Sequence, residues 1–435
     1  MPSYYLWSIG CQMNDADACS LAQGLQSLGL GATNAPVEAD VVILVTCVVR
    51  QSAEDQVVGR LSSLKNLKRQ QPRAAILVLG CFVGDDVALR VQYPFVDAFF
   101  RPSDVTGVLS WVNEHTSPKH KETASGPAKS LVRGQARVCA SVPVSYGCSH
   151  HCTYCIVRLR RGPQRSRPLA EIVADVQEQA RCGAQDVTLL GQNVDAYGQD
   201  LERPAPDLAD VLTAVHELPG LQRVRFLTSH PAHISGKLIA TVRHLPRVCP
   251  HFELPVQSGD DDVLRRMARG YTAEEYRALV ASLRQHIPHC SIATDVIVGF
   301  PGETEKQFQS TYDLLEELRL DTVHIAKYSQ RPDTPAARLS DDVSPADKER
   351  RRKILDEQQA RIAGEINGRF VGRRLEVLVE GRKGQRWRGR TVNNKLVFFE
   401  ADENLEGQLA CVEITWAGPW SLVGKLSQLP SEIRA

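Results

Sequence analysis

Between Val142 and Tyr328 short β-rich apolar runs alternate with helical stretches six times, and this rhythm limits the fold more than any other feature of the chain. The runs are Val142 to Tyr146, Asp186 to Leu190, Arg223 to Thr228, His251 to Val256, Ile292 to Phe300 and Thr322 to Tyr328. Strands joined through helices are expected to run parallel, here as a partial or complete (βα)6 barrel. Chemistry in such barrels gathers in the loops after the carboxyl ends of the strands. A long charged helix from about Pro345 to Ile366 is expected to lead out of the barrel and to stop near Gly368.

The same alternation occurs on a smaller scale before it. Tyr4 to Ile9, Val41 to Val45 and Ala75 to Leu79 read as strands, with helices near Asp15 to Leu28 and Glu54 to Lys68, which is the pattern of a parallel sheet covered by helices. The polar stretch from Asn113 to Arg137 reads as a linker. After about Phe370 the segments LEVLVEG, KLVFFE and QLACVEITWA alternate with Gly and Asn, as in a small antiparallel β-barrel. The expected chain is therefore α/β: an amino-terminal parallel sheet domain over 1–115, a linker over 116–137, the barrel with its exit helix over 138–368, and the small β-barrel over 369–435. With 435 residues, 43% of them hydrophobic, each part can bury a core.

The start, MPSYYLWSIG, lacks a basic segment followed by a long apolar stretch, and the longest apolar run, Val41 to Val49, is too short to cross a bilayer. No membrane is expected, and the cytoplasm is the expected location. That bears on the twelve cysteines. A reducing compartment disfavours disulfides and shifts clustered cysteines toward metal binding or catalysis.

Gly147-Cys148-Ser149-His150-His151-Cys152-Thr153-Tyr154-Cys155 places three cysteines on one loop after the first barrel strand. Three thiolates there can grip three irons of a cubane and leave the fourth iron open. The competing reading is a tetrahedral zinc site completed by His150 or His151, although spacings of four and then three differ from the paired zinc-finger pattern. A second set is invisible as a linear motif. Cys11, Cys47 and Cys81 each lie just beyond the carboxyl end of an amino-terminal strand, and in a parallel sheet those ends share the edge where ligand sites gather. They are expected to converge on a second cluster. Cys19, Cys139, Cys182, Cys249, Cys290 and Cys411 show no such placement and read as packing residues.

The C-x3-C-x2-C pattern with an aromatic before the last cysteine, opening a six-unit barrel, resembles the radical S-adenosylmethionine (SAM) superfamily. Together with Ile9-Gly10-Cys11-Gln12-Met13-Asn14, Thr46-Cys47-Val48-Val49-Arg50 and Gly80-Cys81, the whole chain resembles the radical SAM methylthiotransferases, with a terminal TRAM domain. GCQMN is similar to the branch acting on isopentenylated adenosine beside the tRNA anticodon. The branches acting on threonylcarbamoyl-adenosine and on a ribosomal protein typically read GCKVN and GCPKN. Gly191-Gln192-Asn193, Thr228-Ser229-His230-Pro231, Pro255-Val256-Gln257-Ser258-Gly259 and the run from Val298 to Thr304 resemble segments around SAM. One departure is Arg158-Leu159, where the family commonly has Pro-Tyr.

The resemblance implies two 4Fe-4S clusters and SAM as cofactors. Cys148, Cys152 and Cys155 would hold the cluster that generates a radical from SAM; Cys11, Cys47 and Cys81 would hold the cluster carrying the sulfur to be transferred, a second SAM giving the methyl group. Tyr154, Gly191, Gln192, Asn193, Ser229, Gln257 and Gly299 are the implied cofactor-binding residues. The implied product is a methylthio group on carbon 2 of N6-isopentenyladenosine. The implied partners are the tRNA anticodon stem-loop, an electron donor such as flavodoxin or ferredoxin, and a sulfur and cluster supply system. The alternative of another class is a non-catalytic, zinc-dependent RNA-binding protein, which iron and sulfide analysis would separate.

A formal net charge of +1 carries no argument about nucleic acid. Local clusters do: Arg158, Arg160, Arg161, Arg165 and Arg167 follow the cysteine loop, and Arg373, Arg374, Arg382, Lys383, Arg386, Arg388 and Arg390 surround Trp387. Such clusters can bind phosphate, and an aromatic among them can stack on a base; the alternative is that the charge run is a solvated face.

Overall fold

The computed structural model describes residues 1–49, 51–84, 86–116 and 138–428. Arg50 and the expected linker from 117 onward lie outside the described residues. The chain divides into two compact units. One holds the amino-terminal domain with Tyr146–His150 and Cys155–Arg165; the other holds the two barrels, including His151–Tyr154.

In the amino-terminal domain five parallel strands lie in the order Gly31–Ala32, Ser3–Ser8, Val41–Thr46, Ala75–Gly80, Ala98–Phe100. The two runs VVILVT and AILVLG are buried at every position, as strands covered on both faces must be. Leu21 and Leu25 of helix Gln12–Ser27 pack on one face with Val108 and Val112 of helix Val105–His115. On the other face Val57, Leu61 and Leu64 of helix Gln51–Gln70, spaced by three and four, form a single stripe. Each such side chain contributes about 1.5–3 kcal/mol when fully buried. The first strand to continue on the other side of the sheet is Val41–Thr46, so the strand order reverses between Ser3–Ser8 and Val41–Thr46. Ligands of doubly wound sheets bind at that switch point. The strands Gly31–Ala32 and Ala98–Phe100 are too short to show in an apolar-run reading.

The large barrel has six parallel strands in two sheets. Arg223–Leu227, Asp186–Leu190 and Cys139–Pro143 form one; His251–Glu253, Ser291–Val298 and Thr322–Lys327 form the other. The sheets are joined where Cys249 N–H donates to Val224 O at 2.9 Å and Ser229 N–H to Glu253 O at 3.0 Å. The first strand starts earlier than expected, because the weakly apolar Cys139-Ala140-Ser141 conceals it; Cys139 pairs with Asp186. Ser145–Tyr146 instead forms a separate two-stranded sheet with Arg165–Ser166. Helix Pro345–Gly368 starts where Ser344 Oγ accepts from Asp347 N–H, with proline in its first turn, and Leu355 joins the barrel core.

The strands Arg374–Lys383, Arg386–Arg390, Leu396–Glu400, Leu409–Ala417 and Leu422–Gln428 close into the small barrel. Its pairs are antiparallel except Leu396–Glu400 with Leu422–Gln428, which is parallel. This barrel seats on the amino-terminal ends of the large barrel's strands. Arg225 donates to Asp186 Oδ2 at 2.8 Å and to Thr391 O at 3.0 Å; Arg223 pairs with Glu376 at 3.2 Å, and Lys395 with Asp321 at 2.7 Å. Arg223, Arg225 and His251 are buried there. The opposite ends of the strands are thus left for chemistry. No helix among the described residues is long and apolar enough to cross a membrane.

Candidate active site

Cys11, Cys47 and Cys81 stand at the carboxyl ends of the strands on either side of the switch point and of the next strand along. Cys11 is the N-cap residue of helix Gln12–Ser27. Gly10 has φ +133°, and a Cβ on it would lie 2.4 Å from Cys47 Cβ; only glycine lets the first strand's end close on the second cysteine. Asn14, fully buried, donates to Ile9 O at 2.7 Å and holds this turn. Burial pushes the Cys47 thiol up to about 11; Val49 N–H on its sulfur lowers it, and the neighbouring Cys81 and Cys11 raise it further. Cys81 is also raised, by burial first and partly offset by Arg161. Three thiols close enough to feel one another's charge, two of them buried, are a donor set that fits an iron-sulfur cluster; metal must displace their protons.

In the barrel unit, Cys152 is held by a residue that spacing alone does not reveal. Arg269, 6% exposed, donates to Cys152 Sγ at 3.3 Å, to Tyr154 Oη at 3.5 Å, to Pro255 O at 2.8 Å and to Tyr271 Oη at 2.9 Å. Between Cys152 and Tyr154, Thr153 is pinned by its N–H to Met267 O at 3.0 Å and its hydroxyl to Arg266 O at 2.8 Å. The segment His151–Tyr154 is therefore fixed to the turn after helix Asp261–Arg266.

At the carboxyl ends of the barrel strands several buried polar atoms lack a hydrogen-bond partner among the described residues: Ser145 Oγ, Gln192 Oε1, Asn193 Oδ1, Gln257 Oε1 and Tyr328 Oη. Buried polar groups are nearly always paired. Gln257 and Thr228, also at strand ends, hold left-handed backbone with φ 73° and 70°, a strain that concentrates at ligand sites. These atoms fit a ligand with amino, carboxylate and hydroxyl groups, as SAM has. Ser229 is occupied differently: its hydroxyl donates to Asp195 Oδ1 at 3.0 Å, and His230 N–H donates to Oδ2 at 3.0 Å. Asp195 lies outside the sequence motifs. Burial raises its carboxyl to about 7, against the lowering by these two donors. Gly191 lies beside Ser145 and Val194. Gly299 N–H donates to Glu303, which Arg351 holds at 2.8 Å.

Family models match in three stretches: the radical SAM superfamily over residues 142–315, an uncharacterized protein family, UPF0004, over 3–100, and the TRAM domain over 368–427. A tRNA-2-methylthio-N(6)-dimethylallyladenosine synthase of Roseiflexus sp. is 46% identical over 98% of this chain and 90% of its own length. Synthases of the same name from Dehalococcoides mccartyi and Dictyoglomus thermophilum are 45% and 41% identical, each over 98% of this chain and 99% of their own. The chain belongs to the tRNA-2-methylthio-N(6)-dimethylallyladenosine synthase family. Among solved structures, the radical SAM methyltransferase TsrM of Kitasatospora setae superposes with a TM-score of 0.57 at 13% identity, covering 77% of each chain. OxsB, a cobalamin-dependent SAM radical enzyme, gives 0.52 at 10% identity over 82% of this chain and 56% of its own. At such identities the likeness is one of fold.

Membership makes the chain a radical SAM enzyme and excludes the zinc-dependent RNA-binding alternative. For this synthase-family member the RNA-facing expectations need correction at three residues. Trp387 is 3% exposed, in the core of the small barrel, its indole N–H donating to Ala401 O at 3.2 Å and Arg382 lying 4.1 Å over its ring. It cannot stack on a base, because alternation along Arg386–Arg390 turns it inward. Arg161 is buried beside Asn14 and Asp17. Arg167 is bound to Pro143 O at 2.8 Å and paired with Asp175 at 2.8 Å. Arg165, Arg373, Arg374, Arg382, Lys383, Arg386 and Arg388 are exposed.

Proposed function

We propose that the protein replaces the hydrogen on carbon 2 of N6-dimethylallyladenosine in the tRNA anticodon loop by a methylthio group. The observation that carries this reading is identity near 45% to synthases of that product over nearly the whole chain. An aromatic C–H offers no acidic proton to a side-chain base, so a polar mechanism through the residues present is closed. Two 4Fe-4S clusters and SAM supply the one-electron activation of that bond, the sulfur and the methyl group.

What this chain contributes is binding, orientation and exclusion of water. Cys148, Cys152 and Cys155 would hold one cluster, and Cys11, Cys47 and Cys81 the other. Arg269 orients the Cys152 sulfur and the Tyr154 ring. Gln192, Asn193 and Gln257 present acceptors toward SAM, and Ser145 and Tyr328 add hydroxyls. Asp195 keeps Ser229 and the backbone at His230 in place. The exposed basic residues Arg373, Arg374, Lys383, Arg386 and Arg388 of the TRAM barrel would bind tRNA phosphates, and the target base must leave its stack to reach the strand ends. A small electron-transfer protein such as flavodoxin or ferredoxin and a cluster supply system complete the cycle, in the cytoplasm. Mass spectrometry of tRNA nucleosides from cells with and without the gene tests the reading. The methylthiolated nucleoside should vanish and its precursor accumulate on deletion; an unchanged nucleoside profile contradicts it.

A further inference from the structure

Arg161 closes the short helix Val157–Arg161 that follows Cys155, yet its guanidinium does not serve the surface. It is 8% exposed and donates through Nη2 to Asn14 Oδ1 at 2.9 Å and through Nη1 to Ser103 Oγ at 3.0 Å. Asp17 Oδ2 lies 4.0 Å away, and Ser103 also donates to Asp17 at 3.1 Å. The same guanidinium stands within electrostatic range of Cys81, Cys11 and Cys47. Asn14 in turn lies 4.0 Å from the Cys11 sulfur.

Burying a guanidinium is strongly unfavourable unless partners offset the lost hydration. Asp17 offsets part of that cost across 4.0 Å, but its own buried carboxylate must also be stripped of water. The remaining partners, Asn14 and Ser103, are neutral. The cysteines beside it become negative as cluster ligands, when metal displaces their protons.

We propose that Arg161 is the counter-charge of the cluster on Cys11, Cys47 and Cys81, a positioning residue that stabilises the reduced cluster and holds its sulfur ligands. The inference rests on the assignment of those cysteines as ligands. A fixed positive charge beside a cluster favours the state with one more electron, so removing it lowers the reduction potential. It also withdraws density from the cluster's sulfur, and thereby sets how readily that sulfur is given up.

The test uses reconstituted full-length protein carrying Cys152→Ala, so that the amino-terminal cluster alone gives the electron paramagnetic resonance signal. Midpoint potentials are read for the Arg161, Arg161→Lys and Arg161→Gln forms. Arg161→Gln should shift the oxidised-to-reduced ratio at fixed potential by at least about tenfold toward oxidised, about 59 mV for one electron. Arg161→Lys should recover most of that shift. Equal potentials in all three forms overturn the proposal, as does equal loss of iron from the Lys and Gln variants, which would mark a scaffold rather than a charge. Adding Cys11→Ala, Cys47→Ala and Cys81→Ala must abolish the signal. A signal that survives them refutes the ligand assignment, a failure distinct from equal potentials.

Discussion

Arg269 donates a hydrogen bond to the Cys152 sulfur at 3.3 Å across 117 positions of sequence, and the same guanidinium reaches Pro255 O and Tyr271 Oη. Removing it takes away the donor to all four of these partners, Cys152 Sγ, Tyr154 Oη, Pro255 O and Tyr271 Oη. Arg269→Met should lower the stability of the cluster-free protein by about 1.5–3 kcal/mol, measured by urea unfolding. In the reconstituted enzyme, formation of 5′-deoxyadenosine from SAM should fall about tenfold or more, with Arg269→Lys intermediate. Unaltered rates in Arg269→Met would remove Arg269 from the site.

Asp195 makes stability depend on pH in a direction opposite to most carboxylates. Its folded value, about 7, lies above the unfolded value of about 3.9. Its protonated form is the one the fold prefers, so the contribution is present in full below about pH 4 and is lost as pH rises through about 7. Compared with Asp195→Asn, the natural protein should therefore lose stability steadily between these limits. Urea midpoints of both proteins at pH 4.5, 6 and 8, about the span of that titration, check it; a constant difference would show that Asp195 does not titrate there.

The docking of the TRAM barrel alters what a truncation would report. Cutting after Gly368 uncovers Arg223, Arg225 and His251 and removes the Thr391 carbonyl from Arg225. The expected cost is about 1–3 kcal/mol in the large barrel, so reduced tRNA binding by such a fragment would be ambiguous. The chain cut after Gly368 should show a lower urea midpoint than the full chain. An unchanged midpoint would mean that the contacts at its base carry no net stability.

Exposed charges give the cleaner RNA experiment. Lys383→Ala, Arg386→Ala and Arg388→Ala together leave Arg382 on Trp387 and, among the described residues, disturb the surface pair of Arg386 with Glu400 and the contact of Lys383 over the Phe398 ring. Stability should change by about 0.5 kcal/mol or less per residue. For every phosphate that is no longer neutralised, the magnitude of the slope of log affinity against log salt should fall by about 0.7–0.9. Filter binding of tRNA at several salt concentrations measures this, and an unchanged slope assigns these residues to the solvated surface.

Placing Cys47 and Cys81 required only the strand ends, because VVILVT and AILVLG are almost wholly apolar and cannot be mistaken for exposed segments, and Cys11 follows the end of the strand Ser3–Ser8 in the same way. The TRAM barrel was legible for the same reason in its alternating strands. Residues acting through long-range contact were not legible. Arg161 lies in the run Arg158-Leu159-Arg160-Arg161, whose charge suggests solvent, and nothing local shows that one turn of helix carries its last guanidinium to Asn14. Trp387 sits among five basic neighbours, and only the register with Phe399 shows that it faces the core. Arg269 and Asp195 belong to no motif; their partners are backbone and side chains brought close by the closing of the barrel.

The two cysteine triads are assigned separate tasks, and one variant tests that division directly. Cys11→Ala, Cys47→Ala and Cys81→Ala combined should halve the iron and sulfide of the reconstituted enzyme and yield no methylthiolated tRNA, while 5′-deoxyadenosine formation from SAM continues. Full methylthiolation by this variant, or loss of SAM cleavage together with product, would contradict the division of labour.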